Sequence, residues 1–152
     1  MFDFDAPANL LENKNILVTG ASDGIGKCCA TTFAKHGANV ILLGRSLEKL
    51  ESVYDEIEAI NPGKVIIQPV DFSSMQENEY QGLTKSLTEN FNCLDGLILN
   101  AGILGLRVPI EFYPSDVWQE TINVNVNSAF HLLKASLPLL KLSKDARVLF
   151  IS

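Results

Sequence analysis

Three glycines fall within seven residues in the stretch Thr19-Gly20-Ala21-Ser22-Asp23-Gly24-Ile25-Gly26, between the apolar run Asn15–Thr19 and a segment of helical period. A chain with this spacing must turn sharply out of a strand and straight into a helix. Gly20 allows the tight turn, Gly24 lets a ligand approach the backbone where a Cβ would stand, and Gly26 lets the helix close on the strand. The helix opening then offers unpaired N–H groups and about half a positive charge, which suits the diphosphate of a dinucleotide. Gly20, Ser22, Asp23, Gly24, Ile25 and Gly26 are therefore the expected cofactor-binding residues of this loop. An ordinary glycine turn is the competing reading. The strand before the loop and the amphipathic helix after it favour the ligand.

The rest of the chain repeats the same alternation. After the glycine loop, Ile25, Cys29 and Phe33 recur four apart with Ala30 and Ala34 beside them, predicting one inward helix face that ends at Gly37. Asn39–Leu43 reads as a second strand. Ser46 is placed to cap a helix turning Leu47, Leu50, Val53, Ile57 and Ile60 inward, stopped by Asn61-Pro62-Gly63. Lys64–Val70 reads as a third strand, and Pro69, lacking an N–H, predicts that it lies at a sheet edge. Ser73 or Ser74 should open another helix reaching about Asn90, and Leu94–Leu99 reads as a fourth strand. Pro114-Ser115-Asp116 should start the longest helix, running to about Leu140 with a kink or early end at Pro138. Arg147–Ile151 reads as the fifth strand.

Short apolar runs alternating with helical segments specify an α/β fold, a doubly wound, mostly parallel sheet of the Rossmann type. With 152 residues, 47% of them hydrophobic, a single dinucleotide-binding domain over 1–152 is expected. The sequence stops at Ser152, just after an apolar strand that a crossover helix ought to cover, so the fold reads as C-terminally incomplete.

Charge and composition narrow the function. The net charge is −6 and no basic tract is present, which disfavours nucleic acid as a partner. The most apolar stretch, Ala129–Leu142, carries Lys134 and Lys141 and falls short of the ~20 residues that span a bilayer, so no membrane partner is expected. Met1–Asp5 is acidic where a leader would be basic, and a cytoplasmic location is expected. Cys28, Cys29 and Cys93 are expected to be buried, reduced thiols. His36 and His131 have no Cys or carboxylate neighbours at metal-ligand spacing, and no metal site is expected.

About 20 residues past the glycines, the end of the second strand should meet the adenosine ribose, where an acid reads the 2′-hydroxyl of NAD and an arginine accommodates the 2′-phosphate of NADP. The chain has Gly44-Arg45 there, so NADP(H) is favoured over NAD(H). Asp23 in the glycine loop pulls mildly the other way, since a carboxylate repels phosphate. Three asparagines lie on the long helix. Advancing 100° per residue, Val126, Ala129, Leu133, Leu137 and Leu140 form the expected buried stripe, with Asn125 on its flank, Asn123 intermediate and Asn127 facing away.

TGASDGIG at 19–26, Asn100-Ala101-Gly102, and the stretch Trp118–Phe130 around Asn125 together resemble the short-chain dehydrogenase/reductase family, over nearly the whole chain from about Asn15 to Ser152. The resemblance implies that Asp71 and Phe72 touch the adenine. It implies that Asn100, Ala101 and Gly102 line the cofactor and steady the sheet, and that Asn125 serves catalysis by helping to hold a proton-relay water beside a lysine. It further implies hydride transfer between nicotinamide and a small carbonyl or alcohol substrate, and a homo-oligomer at full length.

The family's Tyr-x-x-x-Lys is not in these residues. Four positions beyond Tyr54, Tyr80 and Tyr113 stand Glu58, Thr84 and Val117, and Ser152 falls one residue before the expected catalytic serine. Two functions are therefore expected in order: an oxidoreductase whose catalytic Ser, Tyr and Lys lie outside residues 1–152, or a catalytically inactive dinucleotide-binding or interaction module.

Overall fold

The computed structural model describes residues 6–152. The acidic Met1–Asp5 stretch, and the reading of it as no leader, lie outside the described residues. The elements are β1 (Asn15–Thr19), α1 (Gly24–Lys35), β2 (Asn39–Gly44), α2 (Leu47–Ile60), β3 (Val65–Pro69), α3 (Glu77–Asn90), β4 (Gly96–Leu99), α4 (Ser115–Ile122), a π turn (Asn123–Asn127), α5 (Ser128–Leu140) and β5 (Arg147–Phe150). The strands pair in parallel in the order β3-β2-β1-β4-β5. The expected α/β doubly wound sheet is present, with β3 at an edge as Pro69 predicted. Val70 N donates inward to the Gly44 carbonyl at 2.9 Å. Strand alternation therefore turns the nitrogen of Pro69 outward, where its missing hydrogen costs no ladder bond.

Alternate residues of each strand feed opposite layers. Ile16, Val18, Val40 and Leu42 pack with Ala30 and Ala34 of α1 and with Leu50, Val53 and Ile57 of α2. Leu17, Ile41, Leu43, Leu97 and Leu99 pack on the other face with Leu83 and Leu87 of α3 and Leu132, Leu139 and Leu140 of α5. Both faces of β1, β2 and β4 are covered, which is why those strands are continuous apolar runs. β5 lies at the opposite edge from β3, and there Leu149 and Phe150 are 51% and 60% exposed. No helix among the described residues is long and apolar enough to cross a membrane.

Several expectations are corrected. On α1 the buried residues are Gly26, Ala30, Thr31 and Ala34, whereas Ile25 is 60% exposed. The contact face is made of small residues because α1 lies so close to the sheet that nothing larger fits. The expectation of buried thiols also fails: Cys28 is exposed, while Cys29 and Cys93 are half-buried, all three unbridged. Leu47 and Ile60, at the two ends of α2, are exposed beyond the reach of the sheet. α3 begins at Glu77 rather than after Ser73 or Ser74, because the Glu79 carboxylate reaches back to accept from Gln76 N at 2.6 Å.

The long helix departs furthest from expectation. It reaches Leu140 as expected but without ending at Pro138, and it buries Val124, Ser128, Leu132, Ser136, Leu139 and Leu140, so that of the expected stripe Leu140 is buried, Ala129 and Leu133 are half-buried, and Val126 and Leu137 are exposed. A π turn inserts one residue, which displaces the phase of a helical wheel by about 100°. The segment is also apolar on two faces, so hydrophobicity alone does not select the one that meets the sheet.

Below the strands' N-terminal ends, Asp95 joins three elements. Its carboxylate accepts from Asn15 N at 3.0 Å, Ser143 Oγ at 2.7 Å and Lys14 Nζ at 3.2 Å. Burial pushes this carboxyl up, but the bonds from Asn15, Ser143 and Lys14 outweigh it and hold it below the ordinary 3.8. Its stabilisation is thus complete above pH 3.8 and lost as the pH falls through the lower folded value. Asp95→Asn should lower stability at pH 7 by about 1–3 kcal/mol. In thermal melts the gap between wild type and variant should narrow below pH 3.8, and a gap independent of pH would contradict this account.

Candidate dinucleotide-binding site

The chain leaves β1 for β2 on one side and reaches β4 on the other, so a crevice opens at the C-terminal end of β1 where the order reverses. A hollow of about 160 Å³ occupies that place, lined by Gly20, Ser22, Arg45, Asp71, Phe72, Ala101 and Gly102 among others. Larger hollows, of about 430 and 370 Å³, lie between β3 and α3 and at the opposite end of the strands. Neither adjoins the opening of α1, so position rather than size identifies the site.

The glycine loop is folded by its own backbone. Ala21 N donates to the Leu43 carbonyl at 3.0 Å, and Gly20 adopts a left-handed φ of 63°. A Cβ on Gly26 would stand 2.2 Å from the Gly20 carbonyl oxygen, so helix and turn touch directly. A Cβ on Gly24 would meet nothing within 4 Å, so the loop presents open space there. Ser22 packs against Gly44, its Oγ 3.3 Å from where a Cβ would stand, which brings the loop to the end of β2.

Asp23 is the N-cap of α1, its Oδ1 accepting from Gly24 N at 2.8 Å, and its Oδ2 meets Lys49 Nζ at 2.8 Å. The bond and charge of Lys49 and the bond from Gly24 N hold its carboxyl below the usual aspartate value. Ile25 is 60% exposed and does not line the hollow, and its backbone N–H has no intrahelical partner. Arg45 is exposed at the end of β2 and makes no ion pair among the described residues.

Asp71 caps its own turn, accepting at Oδ1 from Ser73 N at 3.0 Å and Ser73 Oγ at 2.8 Å. These two bonds, with a smaller contribution from Arg45, hold its carboxyl low. Phe72 is buried, stacked on Tyr80 with ring centroids 6.1 Å apart. Asn100 stands behind the crevice rather than on its lining. Its Nδ2 donates to the Thr19 carbonyl at 3.0 Å and reaches the Gly20 carbonyl at 3.4 Å, bracing the glycine turn from β4.

Asn125 is exposed rather than buried, yet both ends of its amide are used. Oδ1 accepts from Ile103 N at 2.8 Å and Nδ2 donates to the Ile103 carbonyl at 2.9 Å. The π turn thus clamps the chain immediately after Ala101-Gly102. Asn123 donates to the Ser73 carbonyl at 3.2 Å, and Asn127 donates to Asn123 Oδ1 at 2.9 Å.

Sequence reading missed Thr19 as an organiser. Its hydroxyl donates to the Ile98 carbonyl at 3.2 Å and accepts from Asn100 N and Ala101 N, both at 2.9 Å. A threonine closing the first strand, directly before the glycines, was the available signal. Lys49 was missed as well, because its partner lies 26 residues away. Among the described residues no cluster of His, Cys, Asp and Glu could hold a metal ion.

Comparison with known proteins adds three kinds of finding. Residues 14–152 match the family model described as short chain dehydrogenase. The chain is 41% identical over 144 residues to an uncharacterized oxidoreductase, YciK, of Escherichia coli K12, covering 95% of this chain and 57% of that protein. It superimposes with a TM-score of 0.91 and 40% identity on a putative short chain dehydrogenase from E. coli CFT073 complexed with NADPH, covering 95% of this chain and 60% of that one. A Shigella flexneri 2a relative complexed with NADP gives 0.92 and 40%, with the same shares. The chain therefore spans less than two thirds of the length of these relatives.

Proposed function

Because the chain belongs to the short chain dehydrogenase family, we propose that it binds a nicotinamide dinucleotide, NADP(H) in preference to NAD(H), for an oxidoreductase acting on a small carbonyl or alcohol. The observation that carries this reading is the crevice itself. Residues from four strand ends, Gly20, Arg45, Asp71 and Gly102 among them, converge beside a helix opening at the sheet's switch point. Open space over Gly24 leaves room for a diphosphate against the first N–H groups of α1. Arg45 is assigned the 2′-phosphate, Asp71 and Phe72 the adenine side, and Ala101 and Gly102 the wall toward the nicotinamide. The NADPH and NADP carried by the two solved relatives support the choice of coenzyme.

The bound coenzyme would supply hydride transfer. This chain's own residues bind and orient it. Asn125 is a positioning residue in this reading: through Ile103 it fixes the loop that follows Gly102, and the family resemblance assigns it a water beside a catalytic lysine. Residues 1–152 contain no Tyr-x-x-x-Lys, so this stretch alone should bind coenzyme without turning it over. We place the activity in the cytoplasm, in a full-length protein that forms a homo-oligomer.

Calorimetric titration of the full-length protein with NADPH and NADH tests the site, and a panel of aldehydes and ketones with NADPH tests the chemistry. Arg45→Glu puts a carboxylate where the 2′-phosphate should sit and is expected to weaken NADPH about 30-fold while sparing NADH. Unaltered NADPH affinity in that variant would remove Arg45 from the site.

A further inference from the structure

Lys49 belongs to no expected site, yet it ties the start of α2 to the glycine loop. It lies in the first turn of α2, which Ser46 caps directly after Arg45, and its ammonium reaches back across to Asp23 in the glycine loop. Resting on the NADP reading above, we propose that Lys49 is a second specificity-determining cation, released from Asp23 to meet the 2′-phosphate and needed to cancel the carboxylate beside it.

The charges around this point are few. Asp23 meets Lys49, Arg45 lies beside Asp71 and helps hold its carboxyl low, and the nearby Lys27 is already paired with Glu56 at 2.9 Å. With the lysine, the four groups Asp23, Arg45, Lys49 and Asp71 sum to zero; without it they carry −1. A 2′-phosphate, bearing nearly two negative charges, would then meet a net negative surface with a carboxylate facing it. The Asp23–Lys49 contact is suited to being exchanged. Its side chains are 75% and 58% exposed, and surface ion pairs of this kind contribute little to stability. A phosphate dianion is the stronger partner for an ammonium than one exposed carboxylate. Each group holds the other's charge in place meanwhile, the carboxyl lowered and the ammonium raised by their mutual bond.

The pair also explains how Asp23 can stand in a phosphate-binding loop. Its Oδ1 serves the helix by accepting from Gly24 N, while its Oδ2 is neutralised by Lys49 until coenzyme arrives. Asp23→Asn keeps a good N-cap while removing the charge, so the two roles can be separated.

The test is calorimetric binding of NADPH and NADH to the full-length protein, with thermal melts to verify folding of each variant. Lys49→Ala should weaken NADPH about tenfold and leave NADH within about twofold, since only the 2′-phosphate distinguishes the two ligands. Asp23→Asn should strengthen NADPH severalfold, and Asp23→Asn combined with Lys49→Ala should fall between the single variants. A wild type that prefers NADPH, with Lys49→Ala keeping that preference or weakening both coenzymes alike, overturns the role of Lys49 alone. A wild type without preference for NADPH overturns the NADP reading, and the lysine's role with it.

Discussion

Gly26→Ala should unfold the nucleotide-binding end of the molecule at a temperature on the order of 10 °C below wild type, equivalent to about 3 kcal/mol. The added Cβ would stand 2.2 Å from the Gly20 carbonyl oxygen, 2.8 Å from the Gly20 carbonyl carbon and 2.6 Å from Asn100 Nδ2. Two of those three atoms are backbone, in the turn directly after β1, and the third is tied to the Thr19 carbonyl. Relief therefore requires α1 to move away from the sheet, which opens the packing of Ala30 and Ala34 beneath it. Gly24→Ala is the informative control. Its Cβ has open space around it, so only the left-handed φ of 52° opposes the change, at about 1–2 kcal/mol. Circular dichroism melts of both variants give the answer, and equal losses would mean that backbone conformation, not contact, governs the loop.

Thr19→Val should cost about 3 kcal/mol although the side chains are nearly the same shape. The change removes one hydroxyl, which is nearly buried, and takes away the partner of the Asn100 and Ala101 N–H groups and one donor to the Ile98 carbonyl. Each unpaired buried group costs about 1–3 kcal/mol, and methyl contact cannot offset that. Thr19→Ser retains the hydroxyl and should recover most of the loss. Ala101 lines the crevice, so Thr19→Val should also weaken coenzyme binding in calorimetric titration, whereas a purely global loss of stability would leave the affinity of the folded fraction intact. Denaturant titration of the three proteins decides the stability claim, and it fails if the valine and serine variants lose equally.

The strands were legible because the sheet is covered on both faces, so each of β1, β2 and β4 announces itself as an unbroken apolar run. Pro69 betrayed the edge because its chemistry permits little else. The glycine loop was legible from spacing alone, and Gly20, Ser22, Arg45, Asp71, Phe72, Ala101 and Gly102 do come to one crevice. What stayed hidden depends on contacts that local pattern does not encode. On α1 the pattern found Ala30 and Ala34 but added Ile25 and Cys29 where Gly26 and Thr31 are buried, since hydrophobicity rises with size while close approach demands the reverse. The wheel drawn for the long helix chose one of two apolar faces and could not show the role of Asn125, whose partner Ile103 lies 22 residues away. Lys49 carries no local sign of its role, and only the fold brings it to Asp23.

The two borders of the sheet are unlike in what they permit. On the outer side of β3 the nitrogen of Pro69 interrupts the row of donors that any adjoining strand would require, and Gln68 beside it is polar and exposed. Along β5 the row is uninterrupted by proline and flanked by Leu149 and Phe150. Growth of this sheet, whether by more of the same polypeptide or by unwanted self-association, is thereby directed one way.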